Sequence, residues 1–195
     1  MRARFAFLPS LALALAAVLT AGCQSSGGPE KRNLSSAQVQ TERQATQAMA
    51  RTALAKLYAV EPDARGAIEK AAGIGVFDVT TVNAVLVLGA RGEGLIVDNA
   101  TKHSTYMQAV RVGTGPGLGY QQVYQIFVFK SQQALDQFKL GGKAGGDVGA
   151  SATAGTATKA ISFNPYIDVY QVTEKGLALQ ANWGGTAYYA DPDLN

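Results

Sequence analysis

One cysteine and one histidine in 195 residues limit the chemistry open to this chain. His103 stands close in sequence to Asp98, Asn99 and Ser104. These are the residue types of a nucleophile triad, but a triad is an arrangement in space, and this stretch reads as an exposed turn. A zinc centre takes three or four His, Cys or carboxylate ligands, and a single histidine makes a poor start on one. The carboxylates Asp78, Glu93, Asp98, Asp136, Asp147, Asp168, Glu174, Asp191 and Asp193 are scattered, and no spacing selects two of them as an acid–base pair. Asp191-Pro-Asp193-Leu-Asn195 lacks the glycine and the bidentate glutamate of a calcium loop and reads as a polar chain end. Gly113-Thr-Gly115-Pro-Gly117-Leu-Gly119 is neither a dinucleotide fingerprint nor a phosphate loop. Its glycines recur at every second residue and so share one face of an extended chain, where a second layer or a ligand can approach the backbone. Gly89-Ala-Arg-Gly92-Glu-Gly94 has the same texture. The expectation is a non-enzymatic protein with no cofactor and no metal.

The cysteine carries the clearest chemistry. Met1 to Arg4 is basic, Phe5 to Leu19 is apolar apart from Pro9 and Ser10, and Leu19-Thr-Ala-Gly-Cys23 closes the segment. A basic start, a short apolar run and small residues before a cut make a secretory signal. The apolar run is short for a spanning helix, which needs about 20 apolar residues. A cysteine at the cut resembles the lipobox of a bacterial lipoprotein. That resemblance implies diacylglycerol on the Cys23 sulfur, cleavage after Gly22 and acylation of the new amine. Gln24 rather than aspartate follows Cys23, which points to the outer membrane of the cell envelope. The periplasmic and surface faces stay open. Lipidation consumes the only thiol, so an internal disulfide, thiol catalysis and cysteine-based metal sites are excluded.

Removal of residues 1–22 leaves 15 basic and 14 acidic side chains and a net charge of +1. The chain carries no basic stripe with interleaved aromatics, so nucleic acid is not an expected partner. Residues 23–35 then form a lipidated, flexible tether with Gly27, Gly28 and Pro29. Residues 36–195 form a single domain, helical over 36–72 and β-rich over 73–195.

A helix is predicted to start at Ser35 or Ser36 as its cap, with Ala50, Leu54, Leu57 and Tyr58 on one face. A second short helix covers Asp63 to Ala72. Short strands follow at Val76–Phe77, Ala84–Leu88 and Leu95–Val97, with a hairpin connection at Gly92-Glu-Gly94. Tyr106–Val112 and Tyr120–Phe129 continue the series; the second alternates poorly, as a central or bulged strand would. Ser131 caps a short helix with Ala134, Leu135 and Phe138 inward. Two last strands, Ile161–Val172 and Leu177–Trp183, are joined at Glu174-Lys-Gly176. Trp183, Tyr188 and Tyr189 suit the core or a membrane interface. The fold class is α+β, mostly antiparallel β. A Gly-rich curved sheet forms a barrel or sandwich, with N-terminal helices and one short inserted helix.

From about Arg65 to Asn195 the chain resembles the SYLF domain family. The resemblance is carried by Lys70-Ala-Ala-Gly-Ile-Gly-Val-Phe77, Gly89-Ala-Arg-Gly-Glu-Gly-Leu-Ile-Val97, Gly117-Leu-Gly-Tyr-Gln121, Ala134-Leu-Asp-Gln-Phe138, Gly149-Ala-Ser151 and Lys175-Gly-Leu177. Tyr106-Met-Gln-Ala109 stands where the family often has Trp-x-x-Pro, and Val123 replaces an expected glycine. The resemblance implies binding of anionic phospholipids, in some members through a basic amphipathic N-terminal helix. Arg43, Arg51, Lys56 and Lys70 are the corresponding headgroup-binding candidates. The expected function is a membrane-anchored envelope lipoprotein that binds anionic phospholipid headgroups. The rival is a structural or interaction lipoprotein that meets another envelope protein or peptidoglycan.

Overall fold

The computed structural model describes residues 31–140, 147–153, 158–160 and 164–195. Within these, residues 114–117, 147–153, 158–160 and 175–185 are described by backbone alone.

Helix α1 spans Ser36–Val60. Its start is a capping box: Ser35 Oγ accepts from the Gln38 N–H at 3.4 Å, and Gln38 Oε1 accepts from the Ser35 N–H at 2.9 Å. Ala50, Ala53 and Leu57 are buried on one face. The short helix α2, Ala64–Lys70, adds Ala64 and Ile68 to the same apolar layer.

The sheet is antiparallel, in the order β1 (Gly73–Asp98), β2 (Ser104–Phe129), β5 (Ile167–Ala190) and β3 (Asp147–Thr153). The short strand β4, Thr158–Ala160, also pairs with β5. Helix α3, Gln132–Lys139, follows β2 and is capped by Ser131, with Ala134, Leu135 and Phe138 buried as expected. The expected class holds: helices at the N-terminus, one inserted helix and a curved sheet. Among the described residues the sheet stays open and does not close into a barrel.

Two connections read from the sequence are not turns. Gly92-Glu-Gly94 lies inside β1, and Glu174-Lys-Gly176 lies inside β5. Each strand of 24 to 26 residues instead runs the length of the molecule and doubles back. A Cβ on Gly94 would meet the Val76 carbonyl oxygen at 2.3 Å. One on Gly92 would meet that of Asp78 at 2.7 Å, and one on Gly73 that of Val97 at 2.6 Å. These contacts are symmetric about residue 85. The first half of β1 therefore lies against its own second half, and the glycines sit where the two backbones touch.

The fold line is marked by a register shift between Val85 and Val87 and by a φ of 62° at Val85, left-handed and unusual for a β-branched residue. It crosses β2 near Gly117 and Thr114, the partners of Val85 and Val87. It crosses β5 between Gln180 and Trp183, which pair with those β2 residues. A second shift lies between Gln122 and Val123, where Glu174 of β5 is the extra residue; β2 itself is a central strand, which accords with its poor alternation.

The result is two leaves with a shared base and a common apex. The base is stitched by Ala72 N–H to Phe129 O at 2.8 Å and Asn99 N–H to Ala72 O at 2.9 Å. Between the leaves lies an aromatic core of Phe77, Phe127, Phe129, Phe138 and Tyr188, with Phe77 and Tyr188 centroids 4.9 Å apart. A second core, with Ile74, Val76, Leu95, Tyr106 and Tyr124, is covered by α1 and α2. Among the described residues no helix is long and apolar enough to cross a membrane.

Candidate functional site

The four cations read as headgroup candidates do not form one face. At about 100° per residue, Arg43 and Arg51 sit about 80° apart around α1, and Lys56 is a further 140° or so around. Their surroundings differ as well. Arg43 donates from Nε to Leu194 O at 2.9 Å and lies 5.6 Å from the Tyr106 ring centroid. Lys56 pairs with Glu174 and sits 5.7 Å from the Tyr124 centroid. The hydrogen bond to Glu174 pushes the Lys56 ammonium above its ordinary range. Both side chains thus fasten α1 to the sheet through a carbonyl, a carboxylate and aromatic faces. Arg51 and Lys70 are exposed, and among the described residues neither has an ion-pair partner. The structure divides the candidates into two that hold the helix and two that face solvent. Cys23 lies outside the described residues.

His103 is exposed in the β1–β2 turn, as expected. Its neighbour Asp98 is committed elsewhere. Asp98 Oδ2 accepts from Lys139 Nζ and Gln132 Nε2, both at 3.0 Å, and Oδ1 accepts from the N–H groups of Ala100 and Thr101. The Lys139 ammonium, then these further donors, hold the Asp98 carboxyl well below the usual carboxylate range. This carboxylate staples the turn to α3. A polar groove of about 440 Å³ lies beside the turn, lined by Gln44, Gln47, His103 and Tyr106 among others. Among the described residues no three His, Cys, Asp or Glu side chains cluster as metal ligands.

The polar chain end is a buried knot. Asp191 accepts from Gln108 Nε2 at 2.6 Å and from the backbone N–H groups of Asp193 and Leu194. Arg32 bridges Asp191, Asp193 and Glu42 at 3.2, 3.4 and 2.9 Å. The last residues before α1 are therefore pinned at the base of the leaves.

One feature was not read from the sequence as a site. At the apex, Val85, Leu86, Val87, Val112 and Leu118 are 60–72% exposed. Val82, Val110 and Tyr120 are exposed beside them. The alternating glycines Gly113 to Gly119 belong to this apex, since Gly113, Gly117 and Gly119 pair with Leu88, Val85 and Asn83. The available signal was charge: residues 79–90 of β1 and 112–129 of β2 contain no Asp, Glu, Lys or Arg. Tyr188, by contrast, is buried and donates to Gln125 Oε1 at 2.8 Å, which makes it a core residue.

No family model matches the chain. A comparison with curated proteins finds it similar to Beta cell expansion factor A of Aeromonas veronii, with 34% identity over 153 residues. The match covers 78% of this chain and 58% of that protein, so the chain spans little more than half of its relative's length.

Proposed function

We propose that this chain is a SYLF-type lipoprotein of a bacterial cell envelope. It is anchored through Cys23, sits at the outer membrane and binds anionic phospholipid headgroups without catalysis. The observation that carries the reading is the pairing of a lipobox at Cys23 with outward-facing Arg51 and Lys70. Each Lys or Arg near an anionic surface contributes about 1 kcal/mol. Two are weak alone, but the anchor keeps the domain at high effective concentration beside the bilayer.

A second reading, a lipoprotein that meets another envelope protein or peptidoglycan, is favoured by the internal use of Arg43 and Lys56. The two readings separate on charge reversal of the exposed cations. The unlipidated chain, Gln24 to Asn195, is floated with vesicles containing phosphatidylglycerol. Under the lipid reading Arg51→Glu with Lys70→Glu loses the salt-sensitive part of the binding. If the doubly reversed protein floats as well as the parent at low salt, headgroup recognition by these residues is wrong.

A further inference from the structure

We infer that the apolar apex of the folded sheet inserts shallowly into a lipid bilayer. The inference rests on the membrane reading above but not on the charge of the headgroup. The apex is built from Val85, Leu86 and Val87 on β1 and Val112 and Leu118 on β2, each at least 60% exposed. Large apolar side chains gathered at one exposed tip are unusual on a monomer and mark a contact surface.

Three observations select a bilayer as the occupant. First, charge is excluded over a depth and returns at its margin. Neither strand carries a charged residue across the apex, and exposed Arg91 stands five residues beyond Leu86. An arginine at that margin can lay its stem along the hydrocarbon and its guanidinium among phosphates. Secondly, Tyr120 is 47% exposed and three residues past Gly117 on the opposite leaf. It stands about 10 Å from the fold line at 3.3 Å per residue, the level at which interfacial aromatics sit. Thirdly, β1 is an edge strand. Hydrocarbon does not tolerate unpaired backbone groups, and the open edge of β1 runs up to the apex, so entry is shallow, as for interfacial segments generally.

The apex and the point at which the chain enters the domain lie at opposite ends. Arg32 pins the incoming chain to Asp191 and Asp193 at the base. The apex stands about 40 Å away, twelve residues up each leaf. The nine residues from Cys23 to Arg32 span at most about 32 Å. An upright domain therefore presents its apex to a second bilayer, and a reclining one presents it to its own.

The test uses the mature lipidated chain reconstituted in uncharged phosphatidylcholine vesicles. With Cys23 acylated, a Leu86→Cys variant offers one thiol for an environment-sensitive nitrobenzoxadiazole dye, and Glu69→Cys on α2 is the control. Lipids with brominated acyl chains are placed either in the anchoring vesicles or in added vesicles, which separates the two orientations. The expected result is a blue-shifted, bromine-quenched signal at position 86, absent at position 69. Leu118→Ser should weaken it by about tenfold in lipid dependence, as loss of one buried leucine implies. A blue shift without quenching would mean that protein covers the apex, a second copy included, and would overturn the inference. So would a dye left in water. Quenching in these uncharged vesicles, with the Arg51 and Lys70 reversals silent on phosphatidylglycerol vesicles, would leave insertion standing and remove the headgroup reading alone.

Discussion

Gly94 and Val85 bear on the fold in opposite ways. Gly94 sits where a methyl group would come within 2.3 Å of a carbonyl and 2.5 Å of the Phe77 ring. The carbonyl belongs to the backbone of the facing leaf, so relief requires the leaves to part. Gly94→Ala should lower stability by about 2 kcal/mol or more, read in a denaturant titration. Gly89→Ala, with nothing within 4 Å, should cost nothing and serves as the control. Val85 holds a left-handed backbone with a branched side chain, at a cost of about 1–2 kcal/mol. Asparagine tolerates that conformation. Val85→Asn should raise the thermal midpoint by a few degrees and lower vesicle binding, so that stability and lipid contact move apart. A fall in both would show that Val85 supports the fold rather than the surface.

At the scale of elements, the β1–β2 turn and α3 are joined through Asp98 and Lys139. The folded-state value of Asp98 lies below its unfolded value of about 3.9, and the stabilisation follows from that difference. It is fully present above about pH 4 and is lost as pH falls through the folded value. Asp98→Asn should therefore destabilise at neutral pH and flatten the acid limb of a stability–pH curve. An unchanged acid limb would show that the staple contributes nothing. The helices were legible in the sequence because their signals are local: Ser35 with Gln38, and Ser131 with Ala134, Leu135 and Phe138. The strands were legible in type but not in extent. Gly92, Gly94 and Gly176 carry the composition of turns. What keeps Gly92 and Gly94 in an extended strand is contact with Asp78 and Val76, which no local pattern announces.

For the whole molecule, the same long-range folding decides which cations can meet a ligand. Arg43, Arg51 and Lys56 look alike in sequence. The partners that separate them are far off in the chain: the Leu194 carbonyl that accepts from Arg43 lies 151 residues away, and the Glu174 carboxylate that pairs with Lys56 lies 118 residues away. The apex was half legible: its glycines and missing charges stand in the sequence, but only the fold line brings Leu86 and Leu118 to one tip. Solvent-facing cations on the helices and an apolar tip add two membrane contacts to the proposed anchor at Cys23. Flotation of the unlipidated chain, Gln24 to Asn195, tests this most directly, on neutral and anionic vesicles at low and physiological salt. Weak, salt-insensitive binding to neutral vesicles is expected, with an added, salt-sensitive component on anionic ones. A folded protein that floats with neither would contradict this and leave the acyl chains as the sole membrane contact.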